Sequence, residues 1–174
     1  VTGVDGTGVR VEDISITGIE FRSTAATTSG AHIHINGARK VKLDTISMID
    51  GFVGFKFAGC TRTVMDNIHC EWTNLYSGAA TGRRYIQFTT ASSNYAHPHC
   101  GTFSVGHNLQ LVSNTATNGV EYGVEMDSAD GIWFGGGRIG GALTANGYLN
   151  AGKADGVTIV DFSNVMFDDG ACSC

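Results

Sequence analysis

The chain has 174 residues, of which 42% are hydrophobic and 16% charged, with 25 glycines, one proline and a net charge of -5. A chain of this length is expected to form one domain, spanning residues 1–174, that buries roughly 70% of the surface its unfolded form exposes. The acidic balance, without a clustered basic run or an RNA-binding signature, argues against nucleic acid as a partner. No apolar run approaches the roughly 18 residues of a membrane span, so no membrane insertion is expected.

The chain begins at Val1 with no targeting segment behind it, which predicts a fragment of a longer protein or a processed product. High glycine and scarce proline favour strands and turns over long helices. The first clear element is "ISITGIEF", with apolar residues at Ile14, Ile16, Ile19 and Phe21. Its pattern is two alternating pairs separated by a two-residue step. The same spacing returns at Val41, Leu43, Ile46 and Met48, at Thr63, Met65, Ile68 and Cys70, and at Ile132, Phe134, Gly137 and Ile139. A fifth copy is Val160, Phe162, Val165 and Phe167, with Val157 and Ile159 offering a competing register.

The residue before the third apolar position is Gly18, Thr45, Asn67, Gly136 or Asn164. Glycine and asparagine tolerate a left-handed backbone, so a tight bend is predicted there, joining two short strands at an angle. Three positions before the first apolar residue stands a small residue, Ala38, Cys60, Ala129 and, in the Val157 register, Ala154, with Cys100 joining them if "TFSV" is a further copy. Farther upstream lie the pairs Ile33/Ile35, Phe55/Phe57 and Val124/Met126. Each unit therefore holds three short strands. The repeat is roughly 22 to 28 residues, a period that indicates a solenoid and, with three strands per unit, an all-β parallel β-helix of about six coils. A two-sheet sandwich would not require the same small residue and the same bend in every unit.

On these repeats, from about Val9 to Phe167, the sequence resembles the pectin-lyase-like right-handed β-helix superfamily, and within it most of all a bacteriophage tailspike or depolymerase segment. The resemblance implies recognition and cleavage of a bacterial surface polysaccharide, a homotrimer, and a place in a virion tail or outside the cell as a secreted protein. It implies no cofactor, except calcium if the activity is that of a pectate-lyase-like lyase. A non-catalytic structural or receptor-binding spike is the alternative. The polygalacturonase motif series is incomplete: Gly106-His107-Asn108 matches one member in part, and Asp168-Asp169 follows it.

Stacked units place equivalent residues about 4.8 Å apart. Asp44 and Asp66 then share a column, either as a carboxylate pair for glycoside cleavage, one acid remaining protonated beside the other's charge, or as solvated turn residues. The outward column of the third strand reads Glu20, Ser47, His69 and Arg138, with Gln110 as a further member. His69 and Glu71 compete with the aspartates for catalysis. Trp72 is read as a stacking platform for a sugar face or as a residue covered by the following loop. Trp133 points outward among Gly135, Gly136 and Gly137, for sugar stacking or a subunit interface. Lys40 and Arg62 share another column, which suits an acidic sugar or a solvated face.

His32-x-His34 and His97-x-His99 place imidazoles on one strand face, but without the spacing of an established zinc site, and no metal is expected. Cys60 and Cys100 are expected as buried free thiols, and the terminal Cys172-x-Cys174 as part of a frayed tail. The span from 73 to 99 breaks the period and is expected as an irregular insertion presenting Tyr76, Arg83, Arg84 and Tyr85. The plainer alternative makes "YIQF" the first strand of the next unit.

Overall fold

A computed structural model describes residues 11–73, 81–91, 99–113, 119–149, 159–168 and 172–173. These form strands β1 (Val11–Arg22), β2 (Ala31–Asn36), β3 (Ala38–Ile49), β4 (Val53–Ala58) and β5 (Thr61–Trp72). They continue as β6 (Arg84–Thr89), β7 (Cys100–Val105), β8 (Leu109–Ser113), β9 (Val120–Met126) and β10 (Ala129–Phe134). The last are β11 (Gly137–Gly140), β12 (Ala142–Leu149), β13 (Val160–Asp161), β14 (Val165–Asp168) and β15 (Cys172–Ser173). The described residues are all-β and contain no helix, hence none long and apolar enough to cross a membrane.

The strands form a nine-stranded and a six-stranded sheet, and the chain passes repeatedly from one to the other. Strands β2, β4, β6, β9, β12 and β15 make the smaller sheet; the rest make the larger. Every pairing is parallel, an arrangement compatible with a β-solenoid. The register follows the apolar repeat. Ile14 pairs with Val41, Val41 with Thr63, and Ile132 with Val160 rather than with a residue of the competing register.

The predicted bends are present, since Gly18, Thr45, Asn67, Gly136 and Asn164 have φ of 69°, 55°, 51°, 152° and 59°. Asn108, at 63°, opens β8 beside Asn67 and completes this column. In the first three passes the bend does not interrupt the ladder, so the expected second and third strands are one continuous 12-residue strand in β1, β3 and β5. Later passes break at the bend into β7 and β8, β10 and β11, and β13 and β14. Strand β5 accordingly pairs with β7 along its first half and with β8 along its second.

A second left-handed column, not expected from the sequence, runs through Asp13, Lys40, Arg62, Thr102 and Gly131, with φ between 55° and 67°. Each side chain other than glycine costs roughly 1–2 kcal/mol in this conformation, and Asp and Asn bear it best.

Side chains inside the bends fill the space between the sheets with one continuous apolar core. Phe57 packs edge-on to Phe103 at 5.1 Å and Phe88 meets Phe103 at 4.9 Å, contacts worth about 0.5–1.5 kcal/mol each beyond area burial. The small-residue column Ala38, Cys60, Cys100 and Ala129 is buried, as the repeat requires where the chain turns sharply. Cys60, Cys70 and Cys100 are free thiols, and burial pushes Cys100 up to about 12, far from a reactive thiolate.

The span read as an insertion contains β6, which pairs with β4 and β9, so "YIQF" is a strand of the smaller sheet. Arg83, Arg84 and Tyr85 are buried rather than displayed on a protruding loop. Tyr76, His97 and Cys174 lie outside the described residues.

Asn67 carries both the backbone bend and a side-chain ladder, donating from Nδ2 to Asp44 Oδ1 at 3.0 Å and accepting from Asn108 Nδ2 at 2.9 Å. Asn67→Ala is expected to lower stability by about 1–2 kcal/mol in urea unfolding. Asn67→Gly is expected to recover the backbone share of that loss and leave the ladder share.

Candidate functional site

The outward face of the third strand and the bend before it gather most of the polar residues singled out by the sequence. Register places Ser47 beside His69, His69 beside Gln110, and Gln110 beside Arg138, so the expected column is continuous. Between β8 and β11 this face opens into a shallow depression of about 330 Å³, lined by His107, Asn108, Gln110, Gly136, Gly137 and Arg138. The glycines shape it. A Cβ at Gly137, whose φ is 132°, would overlap the Leu109 carbonyl, so the two strands approach this closely only because the side chain is absent.

Trp133, on β10, is 40% exposed and its ring lies over Gly135, immediately before the glycine wall of the depression. Its register neighbours are Ser104 and Asp161, and one pass beyond Ser104 lies Val64, also 40% exposed. His69 and Glu71 lie two apart on the same strand face, with Nε2 to Oε2 at 3.5 Å and both partly exposed. Arg138, His69 and Glu71 thus share one surface, with Trp133 across the bend.

Asp44 and Asp66 are register partners, as the column alignment predicts. Their surroundings differ. Asp44 accepts from Asn67 Nδ2 and Thr45 Oγ1, each at 3.0 Å, and faces Lys42 Nζ at 3.4 Å. Those donors, the Asn67 amide first, hold its carboxyl below the usual aspartate range. An acid so held serves as a fixed charge or an acceptor; a proton donor needs the opposite shift. Asp66 lies against Gly106, where any Cβ would overlap its Oδ1. Gly106 in the Gly106-His107-Asn108 stretch therefore makes room for a carboxylate at the bend, which explains that glycine without an enzyme motif.

Lys40 and Arg62 occupy the other bend column, four strand residues or about 13 Å from the aspartates. Lys40 Nζ meets Glu12 at 3.0 Å and Asp13 at 3.7 Å, and Arg39 also reaches Glu12, at 3.1 Å. The charge of Lys40 and Arg39 is thus matched locally; Arg62 is exposed. Trp72 is fully buried, so it is no sugar platform: its indole packs edge-on to Tyr85 at 4.9 Å and donates Nε1–H to the Gly51 carbonyl at 2.7 Å. The alternation Ile68, Cys70, Trp72 already placed it inward. No three His, Cys, Asp or Glu side chains converge as a metal site among the described residues. His32 is bonded to the Asp50 carbonyl and His99 to Ser128.

One polar cluster escaped the sequence reading. On the six-stranded sheet Arg84 binds Glu125 through Nε at 2.9 Å and Nη2 at 3.1 Å, and Glu121 through Nη1 at 2.8 Å. Gln87 adds a bond to Glu125 at 2.7 Å, and Arg84 stacks 4.5 Å from the Tyr122 ring, itself stacked on Tyr148 at 4.4 Å. Burial works against the guanidinium, and the two carboxylates outweigh it, holding Arg84 charged. Both acids are occupied by one cation, an arrangement for holding strands together rather than for moving protons.

Comparison of the chain with protein-family models, with curated protein sequences and with solved structures finds no match in any of the three.

Two expectations follow. Asp44 has a depressed folded-state pKa, so its stabilisation is present above the unfolded value of about 3.9 and is lost as pH falls through the folded value. Asp44→Asn is therefore expected to be less stable than the wild type in urea unfolding at pH 7 and to lose less stability than the wild type between pH 4 and pH 2. Arg84→Met strands two carboxylates and is expected to cost about 3–5 kcal/mol, whereas the triple change of Arg84, Glu121 and Glu125 to apolar residues costs less.

Proposed function

We propose that the chain is a segment of a right-handed parallel β-helix of about six coils, similar to pectin-lyase-like tailspikes, and that it recognises a bacterial surface polysaccharide along its outer face. The observation that carries this reading is the depression bordered by an exposed tryptophan and lined by His107, Asn108, Gln110 and Arg138. An aromatic face packs against the C–H side of a pyranose while imidazole, amide and guanidinium groups meet its hydroxyls. The parallel register sets Ser47, His69, Gln110 and Arg138 in a row about 4.8 Å apart, an extended polar face that suits a polymer better than a small molecule. The protein in this reading acts outside the cell or on a virion tail, as a homotrimer, and needs no cofactor.

Cleavage is a second step of the same reading, favoured by Asp66 against the Gly106–His107 turn and by the nearby His69 and Glu71. In it Asp44 is the fixed negative charge and Asp66 the acid that works on the glycosidic oxygen, with His69 and Glu71 as its competitors for that role. Recognition is the better supported of the two, since Asp44 is held ionised.

The test is binding of the chain to a panel of capsular and O-antigen polysaccharides by biolayer interferometry, with reducing ends and unsaturated products followed in parallel. Trp133→Ala and Arg138→Ala are each expected to weaken binding about tenfold with unchanged unfolding curves. Binding untouched by both variants sinks the groove assignment. Product formation that survives Asp44→Asn and Asp66→Asn together removes the aspartates from the chemistry.

A further inference from the structure

A second cavity lies at the corner where β3 leaves the larger sheet and β4 enters the smaller, about 150 Å³ in volume, with Ser23, Thr27, Ser29, His32, Gly51 and Phe52 around it. It lies at the opposite end of the third strand from the bend that shapes the Arg138 depression. A cavity of about this size holds one six-membered ring.

The corner is fixed by polar contacts that converge on Asp50 and Gly51, both of positive φ, at 54° and 150°. The buried Asp50 carboxylate accepts from the Thr73 amide and from Thr73 Oγ1, each at 2.7 Å. The Gly51 carbonyl accepts from Trp72 Nε1, and the Asp50 carbonyl meets His32 Nε2. Gly51 is compulsory because a Cβ there would overlap the His32 ring. The walls are tied as well: Ser23 N donates to the Ile49 carbonyl at 3.0 Å, and Val53 N to the Gly30 carbonyl at 3.2 Å. One non-glycine residue in the left-handed region, Asp50, held by this many bonds, marks a corner whose shape is maintained at a cost, as at binding sites.

The contact with Asp50 also sets the chemistry of His32. A carbonyl only accepts, so Nε2 is the donor in this contact, and in the neutral ring Nδ1 is the acceptor. The cavity thus combines the His32 imidazole, the Ser23 and Ser29 hydroxyls, which both donate and accept, and the partly exposed ring of Phe52. None of its lining residues is Lys, Arg, Asp or Glu, so the lining itself offers no cation to an anionic ligand.

We propose that this corner cavity binds one neutral, hydroxylated six-membered ring, a hexose unit, with His32 Nδ1 and the Ser23 and Ser29 hydroxyls meeting its hydroxyls and Phe52 meeting its C–H face. The site stands apart from the Arg138 depression and does not rest on it: the depression carries the Arg138 guanidinium along an open surface, and the corner takes a single uncharged ring.

The test is a titration of the isotope-labelled chain with the methyl glycosides of glucose, galactose, rhamnose and N-acetylglucosamine, with glucuronate as the anionic control, followed by amide shifts at Gly30, Gly51 and Val53. At least one neutral glycoside is expected to saturate these shifts, glucuronate to leave them unchanged, and Trp133→Ala to leave the affinity intact. His32→Phe is expected to weaken binding at least tenfold. Ser29→Ala, an exposed change that does not disturb the corner's own bonds, is expected to weaken it several-fold and serves if His32→Phe does not fold. The proposal is overturned if no neutral glycoside saturates by about 100 mM, if glucuronate binds equally, if Trp133→Ala abolishes the corner shifts, or if Ser29→Ala and a folded His32→Phe leave affinity unchanged.

Discussion

The structure depends on in-register parallel stacking. Each residue of one pass pairs with its equivalent in the next, Val11 with Ala38 at one end of β1 and Arg22 with Ile49 at the other. A bend in one pass must then be repeated above and below it, or the ladder would shear. This is why left-handed residues come in columns, and why side chains as ill-suited to that conformation as Lys40, Arg62, Thr45 and Thr102 adopt it. The strain is local and modest; losing the hydrogen bonds of a whole strand would cost more.

The same stacking turns isolated side chains into ladders. The amide of Asn108 reaches Asn67, and that of Asn67 reaches Asp44, so a bend that exposes backbone to solvent is sealed by side-chain bonds across three passes. Asp44 is held ionised as a by-product of closing its ladder. The Arg84 network follows the same logic on the other sheet, where strands β6 and β9 bring residues 41 positions apart into a bidentate pair. In both places a concentration of charged and polar groups answers a structural demand, and their mutual satisfaction leaves little bonding capacity for a ligand.

What the sequence disclosed follows from how strictly each feature repeats. The apolar step and its bend recur with glycine or asparagine at four of five positions, and the register they predict holds from Ile14 through Val160. The second bend column was silent because its middle members, Lys40, Arg62 and Thr102, do not advertise a left-handed backbone, and only Asp13 and Gly131 at its ends tolerate one readily. Trp72 was legible and misread: two steps beyond Cys70 on an alternating strand points inward, and its neighbours Glu71 and His69 drew attention to the wrong face. Gln110 and Cys100 fell where the columns placed them. The Arg84 network and the Asp50 corner had no local signature, since each is assembled from residues that meet only when distant passes are stacked.

Because the core and the bends absorb most of the sequence's constraints, ligand chemistry is confined to outward positions whose polar groups are not consumed by ladders. Asp44, Asn67, Glu121 and Glu125 are engaged on several sides by neighbours in adjacent passes. The Arg138 depression differs in being opened by glycines, and the Asp50 corner in that its own bonds, from Thr73, Trp72 and His32, do not involve the Ser23 and Ser29 hydroxyls. In a stacked architecture a missing side chain in a column is as informative as a charged one. Gly106, Gly137 and Gly51 each occupy a point where a Cβ would overlap a neighbour, and each stands beside one of the surfaces on which binding is proposed. Glycine is required there by the close approach of backbone or ring, and the concavity beside it is the space that a ligand can use.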